Sequence, residues 1–219
     1  MLIPLAVISA FFLLWQDSLL WAESSDNLLI KCDAPIRCAL SLDGKVIGEI
    51  GPGKMKGFSV PVGDHLLEAR SSDRRFASRG YHTTISVVPY ETVEEVTVYI
   101  AIQDAVEAAQ KGTVIVRTNI EADVFSIERK WLRWDKLTNH EEWNKAGFVK
   151  TWTEDYVAAK QDVVLDVIGV AFAPGVFGTT CYVRGQFLGV EFLVGYADLS
   201  FVDKKNHVDL TRLIMCTDY

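Results

Sequence analysis

The sequence predicts a mainly β protein: two small antiparallel, sandwich-like units in tandem, with a short linking helix and a Trp-rich, partly helical insertion. Three observations carry that reading. From Asn27 to Ile100 the apolar residues fall in short or alternating runs separated by turn residues, the spacing of a small antiparallel sandwich. Asp43-Gly44 between two such runs is a tight hairpin signal, because the turn needs positive φ. The rhythm also recurs. Laid out at an offset of 85, "LLIKCDAPIRCALSLDGK" from Leu28 faces "TVIVRTNIEADVFSIERK" from Thr113, sharing strand, break and strand.

The chain opens with an apolar run, Met1 to Trp15, about 14 residues counted from Leu2. That length suits the h-region of a signal peptide and is short of the roughly 20 residues a spanning helix needs. Residues 1 to 22 read as a signal peptide or an N-terminal anchor, cleaved after Ala22 in the first case. No Lys or Arg precedes the run, and Leu20 stands where a cleavage site prefers a small residue. Lys31 before Cys32 argues against lipid attachment. The expected location is exported: periplasm, cell envelope or extracellular.

Residues 27 to 100 form the first β domain. Its strand candidates are Leu28-Leu29-Ile30, Ala39 to Leu42, Val46-Ile47, Phe58 to Val60, Leu66-Leu67, His82 to Val88 and Val93 to Ile100. Asp33-Ala34-Pro35, Asp43-Gly44, Gly51-Pro52-Gly53, Gly63-Asp64 and Pro89 separate them. "GEIGPGKM", Gly48 to Met55, has the outline of a phosphate loop, but Met55 stands where Ser or Thr would hold magnesium and strand follows instead of helix. No nucleotide is expected.

Residues 101 to 111, AIQDAVEAAQK, read as the linking helix, with Gly112 as its C-terminal stop. Residues 112 to 219 form the second β-rich domain, which opens with a strand at Gly112 to Asn119 and carries an insertion at about 129 to 178. Thr138-Asn139-His140-Glu141 has the form of a capping box, so a short helix is expected from Asn139 to Lys145. Tyr156 to Ala173 fits either a helix or a buried strand; the expectation adopted is a helix to about Val170, ended by Pro174-Gly175. A second echo sets "LSLDGKVIG" from Leu40 against "CYVRGQFLG" from Cys181, and His65 against His207.

The net charge is −7, and removing Asp17 with residues 1 to 22 leaves −6, with both signs interspersed. No basic face points to nucleic acid. The cysteines, Cys32, Cys38, Cys181 and Cys216, are even in number in a chain read as exported, which favours two disulfides. Of three connectivities, the simplest is Cys32 with Cys38 and Cys181 with Cys216. They contain no CxxC and do not resemble a zinc site.

Leu29 to Arg70 resembles a PEGA domain, a small β module of surface and envelope proteins, chiefly prokaryotic. Pro35, the alternation into Leu40-Ser41-Leu42-Asp43-Gly44, then Gly48, then Val60-Pro61-Val62-Gly63-Asp64-His65 carry the resemblance. The namesake motif departs from it, since Pro35-Ile36-Arg37-Cys38 keeps only the proline. The resemblance implies an extracytoplasmic binding or spacer module and brings no catalytic residues.

His65, His82, His140 and His207 are too dispersed for a local metal motif, and no cofactor or metal is expected. No G-x-S-x-G elbow is present. The feature that stands out is aromatic: Trp131, Trp134, Trp143 and Trp152 all lie in the insertion. Exposed, such rings stack on sugar faces or fill a partner's pocket; packed, they form a second core. The expected function is a non-catalytic exported binding or structural protein contacting an envelope or surface protein or glycan. The alternative is an envelope hydrolase using Asp135, Glu141, Glu142, Glu154 and Asp155 beside the tryptophans.

Overall fold

The computed structural model describes residues 26–76, 79–151, 155–175 and 178–216. Residues 1 to 22, and with them the signal or anchor expectation, lie outside the described residues, as do Trp152 and Glu154. The chain is mainly β, as expected from the strand and turn rhythm.

The first unit holds seven strands: β1 (Leu28–Cys32), β2 (Cys38–Leu42), β3 (Lys45–Ile50), β4 (Met55–Phe58), β5 (Gly63–Ser71), β6 (Gly80–Val87) and β7 (Thr92–Val96). They form two sheets, ordered β4-β1-β7 and β3-β2-β5-β6. Pairing is antiparallel except between β1 and β7. Alternation does the work of burial. In β1, Leu28, Ile30 and Cys32 are fully buried, and in β2 Cys38, Leu40 and Leu42 face inward while Ala39 and Ser41 do not. Each fully buried Leu or Ile contributes about 1.5–3 kcal/mol.

The hairpin at Asp43-Gly44 forms as read, with φ of 50° and 75° at its two central residues. Asp43 also ties the turn to the start of β5. Its carboxylate accepts the Leu66 N–H at 2.8 Å and meets His65 Nδ1 at 2.7 Å, while His65 Nε2 donates to the Pro61 carbonyl at 2.9 Å. "GEIGPGKM" is strand, turn and strand, running from β3 into β4.

A two-residue strand, β8 (Ile100–Ala101), leads into helix α1 (Ile102–Gln110). Gly112, at φ 71°, ends the helix: its N–H donates to Ala109, and the Thr113 N–H donates to Ala108, the paired bonds of a Schellman stop.

The second unit runs β9 (Val114–Thr118), β10 (Ala122–Phe125), helix α2 (His140–Lys145), β11 (Phe148–Lys150), β12 (Val157–Ala159), β13 (Val167–Gly175), β14 (Gly178–Phe187), β15 (Val190–Gly195), β16 (Leu199–Asp203), β17 (Val208–Asp209) and β18 (Ile214–Met215). A six-stranded sheet, β11-β12-β10-β15-β14-β13, accompanies a three-stranded one, β17-β16-β9. The first echo has a structural counterpart: β1 and β2 belong to different sheets of the first unit, and β9 and β10 to different sheets of the second. The second echo does not. Asp43-Gly44 turns, whereas its counterpart Arg184-Gly185 lies within β14, and the β14–β15 turn sits at Leu188-Gly189.

The helix expected over Tyr156 to Val170 is absent. β12 lies between β11 and β10 with all three of its residues buried, so its apolar run is a central strand. Asp162, at φ 64°, reverses the chain, and Thr118 clamps the loop: its N–H donates to the Val163 carbonyl, and its hydroxyl oxygen accepts the Val163 N–H at 2.9 Å. Beyond it Val163, Leu165 and Val167 are buried while Val164 and Asp166 are exposed, a period of two. Pro174 and Gly175 end β13 and cap no helix. Helix α2 lies where expected, but its N-cap is Asn139 in the left-handed region with no side-chain cap bond, so the capping box does not form.

Both disulfides pair as the simplest connectivity has them, Cys32–Cys38 and Cys181–Cys216. The two units meet across Arg75, which bonds Asp203 of β16 at 2.8 Å, and β18 returns to pair in parallel with β8. No helix among the described residues is long and apolar enough to cross a membrane.

Candidate functional site

The segment that follows β10 turns tightly. The Ser126 N–H donates to the Lys130 carbonyl at 2.7 Å and the Arg129 N–H to Ser126 at 2.8 Å, with Arg129 itself at φ 64°. The returning residues alternate. Leu132 is buried and exchanges backbone bonds on both sides, donating to Val124 and accepting from Val157. Trp131 and Arg133, one residue either side, therefore project to the opposite face, where bridges set them against Phe125 and Tyr156 respectively.

That register lines up four rings on the outer face of the six-stranded sheet. The Tyr182 and Phe125 centroids are 5.9 Å apart, Phe125 and Trp131 4.8 Å, and Trp131 and Tyr156 5.4 Å with planes 18° apart. The Arg133 guanidinium lies 5.9 Å from the Tyr156 ring centroid and continues the row. Trp131 keeps 40 % of its surface exposed despite two ring neighbours. An open groove of about 780 Å³ runs beside it, lined by residues of the turn together with Lys136 and Tyr156.

The other tryptophans separate by environment. Trp134 opens a 3-10 turn, half-buried, with its ring stacked on His140 at 5.0 Å. Trp143 is fully buried among Phe148, Phe187 and Phe192, at centroid distances of 5.0, 5.0 and 6.2 Å. As a ligand contact it is corrected: no part of its ring reaches a partner, because α2 turns it into a second aromatic core. Trp152 lies outside the described residues. The tryptophan set is thus part surface and part core.

Of the candidate carboxylates beside the tryptophans, the four among the described residues each face a cation. Asp135 accepts from Arg133 at 2.9 Å, which holds its carboxyl below the usual carboxylate value. Glu141 and Glu142 share Lys145 at 2.8 and 3.1 Å, and Asp155 pairs with Lys150. A general acid needs the opposite shift. The carboxyls that are raised, Asp123 by burial and then by Glu121, and Asp198 by burial and then by Asp123, belong to β10 and the turn before β16. Among the described residues no group of three His, Cys, Asp or Glu is placed to hold a metal. His65 and His207 are not equivalent: His65 begins a strand, and His207, at φ 54°, sits in a turn.

Sequence reading found Trp131 but missed Phe125, Tyr156 and Tyr182. Alternation within β10 and β14 hinted that Phe125 and Tyr182 point outward, but pairing across strands decides which rings meet. Comparison with protein-family models, curated proteins and solved structures finds no match.

Proposed function

We propose that this is an exported binding protein of the cell envelope or surface, without catalytic activity, whose contact surface is the ring row centred on Trp131. The observation that carries the reading is the partly exposed Trp131 in line with three other rings on an open sheet face. Aromatic residues held rigidly by cross-strand neighbours supply contact area at low entropic cost, the pattern of interface anchors. The two disulfides fit an oxidising compartment, and the first unit, which resembles a PEGA domain in sequence, serves in this reading as the scaffold. The ion-paired carboxylates beside the tryptophans favour binding over the hydrolase alternative.

Co-sedimentation with isolated envelope material tests this. The wild type should pellet, and Trp131→Ala should lose binding by about tenfold or more while keeping its thermal midpoint within a few degrees. Equal pelleting of both proteins, or of neither, would overturn the assignment.

A further inference from the structure

We propose that the groove beside Trp131 selects a polyanionic glycan. This rests on the binding reading above and adds the class of ligand. The chain as a whole carries −7, yet the groove is lined by Arg129, Lys130, Arg133 and Lys136. Lys130 faces Glu128, and Arg133 faces Asp135 and Asp155, which leaves Arg129 and Lys136 as the cations in excess. A concentration of positive charge on an acidic protein steers anionic ligands to that spot and repels them elsewhere.

The geometry favours a sugar polymer over an acidic peptide. Peptides add to sheets through unpaired backbone edges. Beside the groove the strand-like segments already use many of those groups: Ser126 bonds Lys130, Leu132 bonds Val124, Trp134 bonds Asp155 and Val157 bonds Leu132. What remains is side chains, flat rings for the C–H faces of sugars and cations for their acidic groups. Arg129 adds a second sign. A side-chain-bearing residue is disfavoured in the left-handed region where glycine is not, yet an arginine occupies that position, at φ 64°. Its guanidinium spends one donor on the Phe172 carbonyl at 2.8 Å, and the fork has five.

The test titrates the protein with alginate and heparin as carboxylated and sulfated glycans, dextran as a neutral one, and poly-glutamate as an acidic peptide. Trp131→Ala and the double variant Lys130→Gln/Lys136→Gln are measured alongside. Both lysines are exposed, so the double variant should fold normally, which circular dichroism checks. At least one anionic glycan should bind, weaken about tenfold or more between 50 and 200 mM salt, and weaken about fivefold or more in the double variant. Dextran binding of equal strength, insensitive to salt and to the lysines, would overturn the anionic selectivity but leave the Trp131 surface standing. Equal or tighter binding of poly-glutamate would replace the glycan with an acidic protein. Failure of alginate and heparin alike would end the proposal, whatever envelope co-sedimentation shows.

Discussion

His65 illustrates how a single residue couples fold to pH. Its hydrogen bonds to Asp43 and then to the Pro61 carbonyl favour the imidazolium and raise it above its ordinary 6.5, while the same contact lowers Asp43 below 3.8. A raised base contributes stability fully below its unfolded value and loses it as pH climbs through the folded one; a depressed acid contributes above 3.8 and loses it as pH falls through its folded value. The pair is therefore strongest between about pH 4 and 6.5. Thermal melts should show the wild-type midpoint declining from pH 6 to pH 8 relative to His65→Gln. Parallel profiles would mean the contact carries no linkage. The carboxylate partner of His65 was not legible in the sequence, because Asp43 is 22 residues away and only the β2–β5 pairing joins them.

At the scale of elements, local chemistry was readable where one residue dictates the backbone. Gly112 stops α1 and Asp43-Gly44 turns the first hairpin because positive φ admits few alternatives. Reading failed at Tyr156 to Ala173, where Val and Ala runs suit a helix or a central strand equally. Only pairing with β10 and β11 resolves β12, and beyond it the apolar Val164 hides the period of two that burial shows from Val163 to Val167. The same segment returns to β14, which the Cys181–Cys216 bond staples to the chain end across a separation of 35 residues. Closing a loop of that size is worth about 4 kcal/mol in chain entropy. Replacing both cysteines by serine should lower stability by about that amount in denaturant titrations. A loss under about 1 kcal/mol would show that the C-terminal segment stays docked without the bond.

Across the whole molecule, the two units are joined by a buried ionic contact. Asp203, 2 % exposed, receives Arg75 from the first unit together with the Lys205 N–H and Asn206. Burial pushes its carboxyl up, but Arg75 and the Lys205 N–H outweigh that and hold it below 3.8. Its contribution is thus present above pH 3.8 and lost as pH falls through the folded value. Arg75→Ala leaves a buried carboxylate without its cation and should cost about 3 kcal/mol. A shift below 1 kcal/mol would mean the units are held by apolar packing and the β8–β18 pairing without help from this contact. None of this was legible in the sequence, since Arg75 and Asp203 lie 128 residues apart and resemble ordinary surface charges. The Trp131 surface was half legible for the same reason: composition showed the tryptophans, and sheet register turned Trp131 toward solvent.

The most direct measurement of that surface is acrylamide quenching of tryptophan fluorescence in the wild type and in Trp131→Phe, each with and without isolated envelope material. The difference between the two proteins isolates Trp131. The expected result is a readily quenched component in the wild type that is missing from Trp131→Phe and becomes protected when envelope material is added. Identical quenching curves for the two proteins, or a Trp131 component that envelope material leaves unprotected, would contradict the assignment of this face as the binding surface.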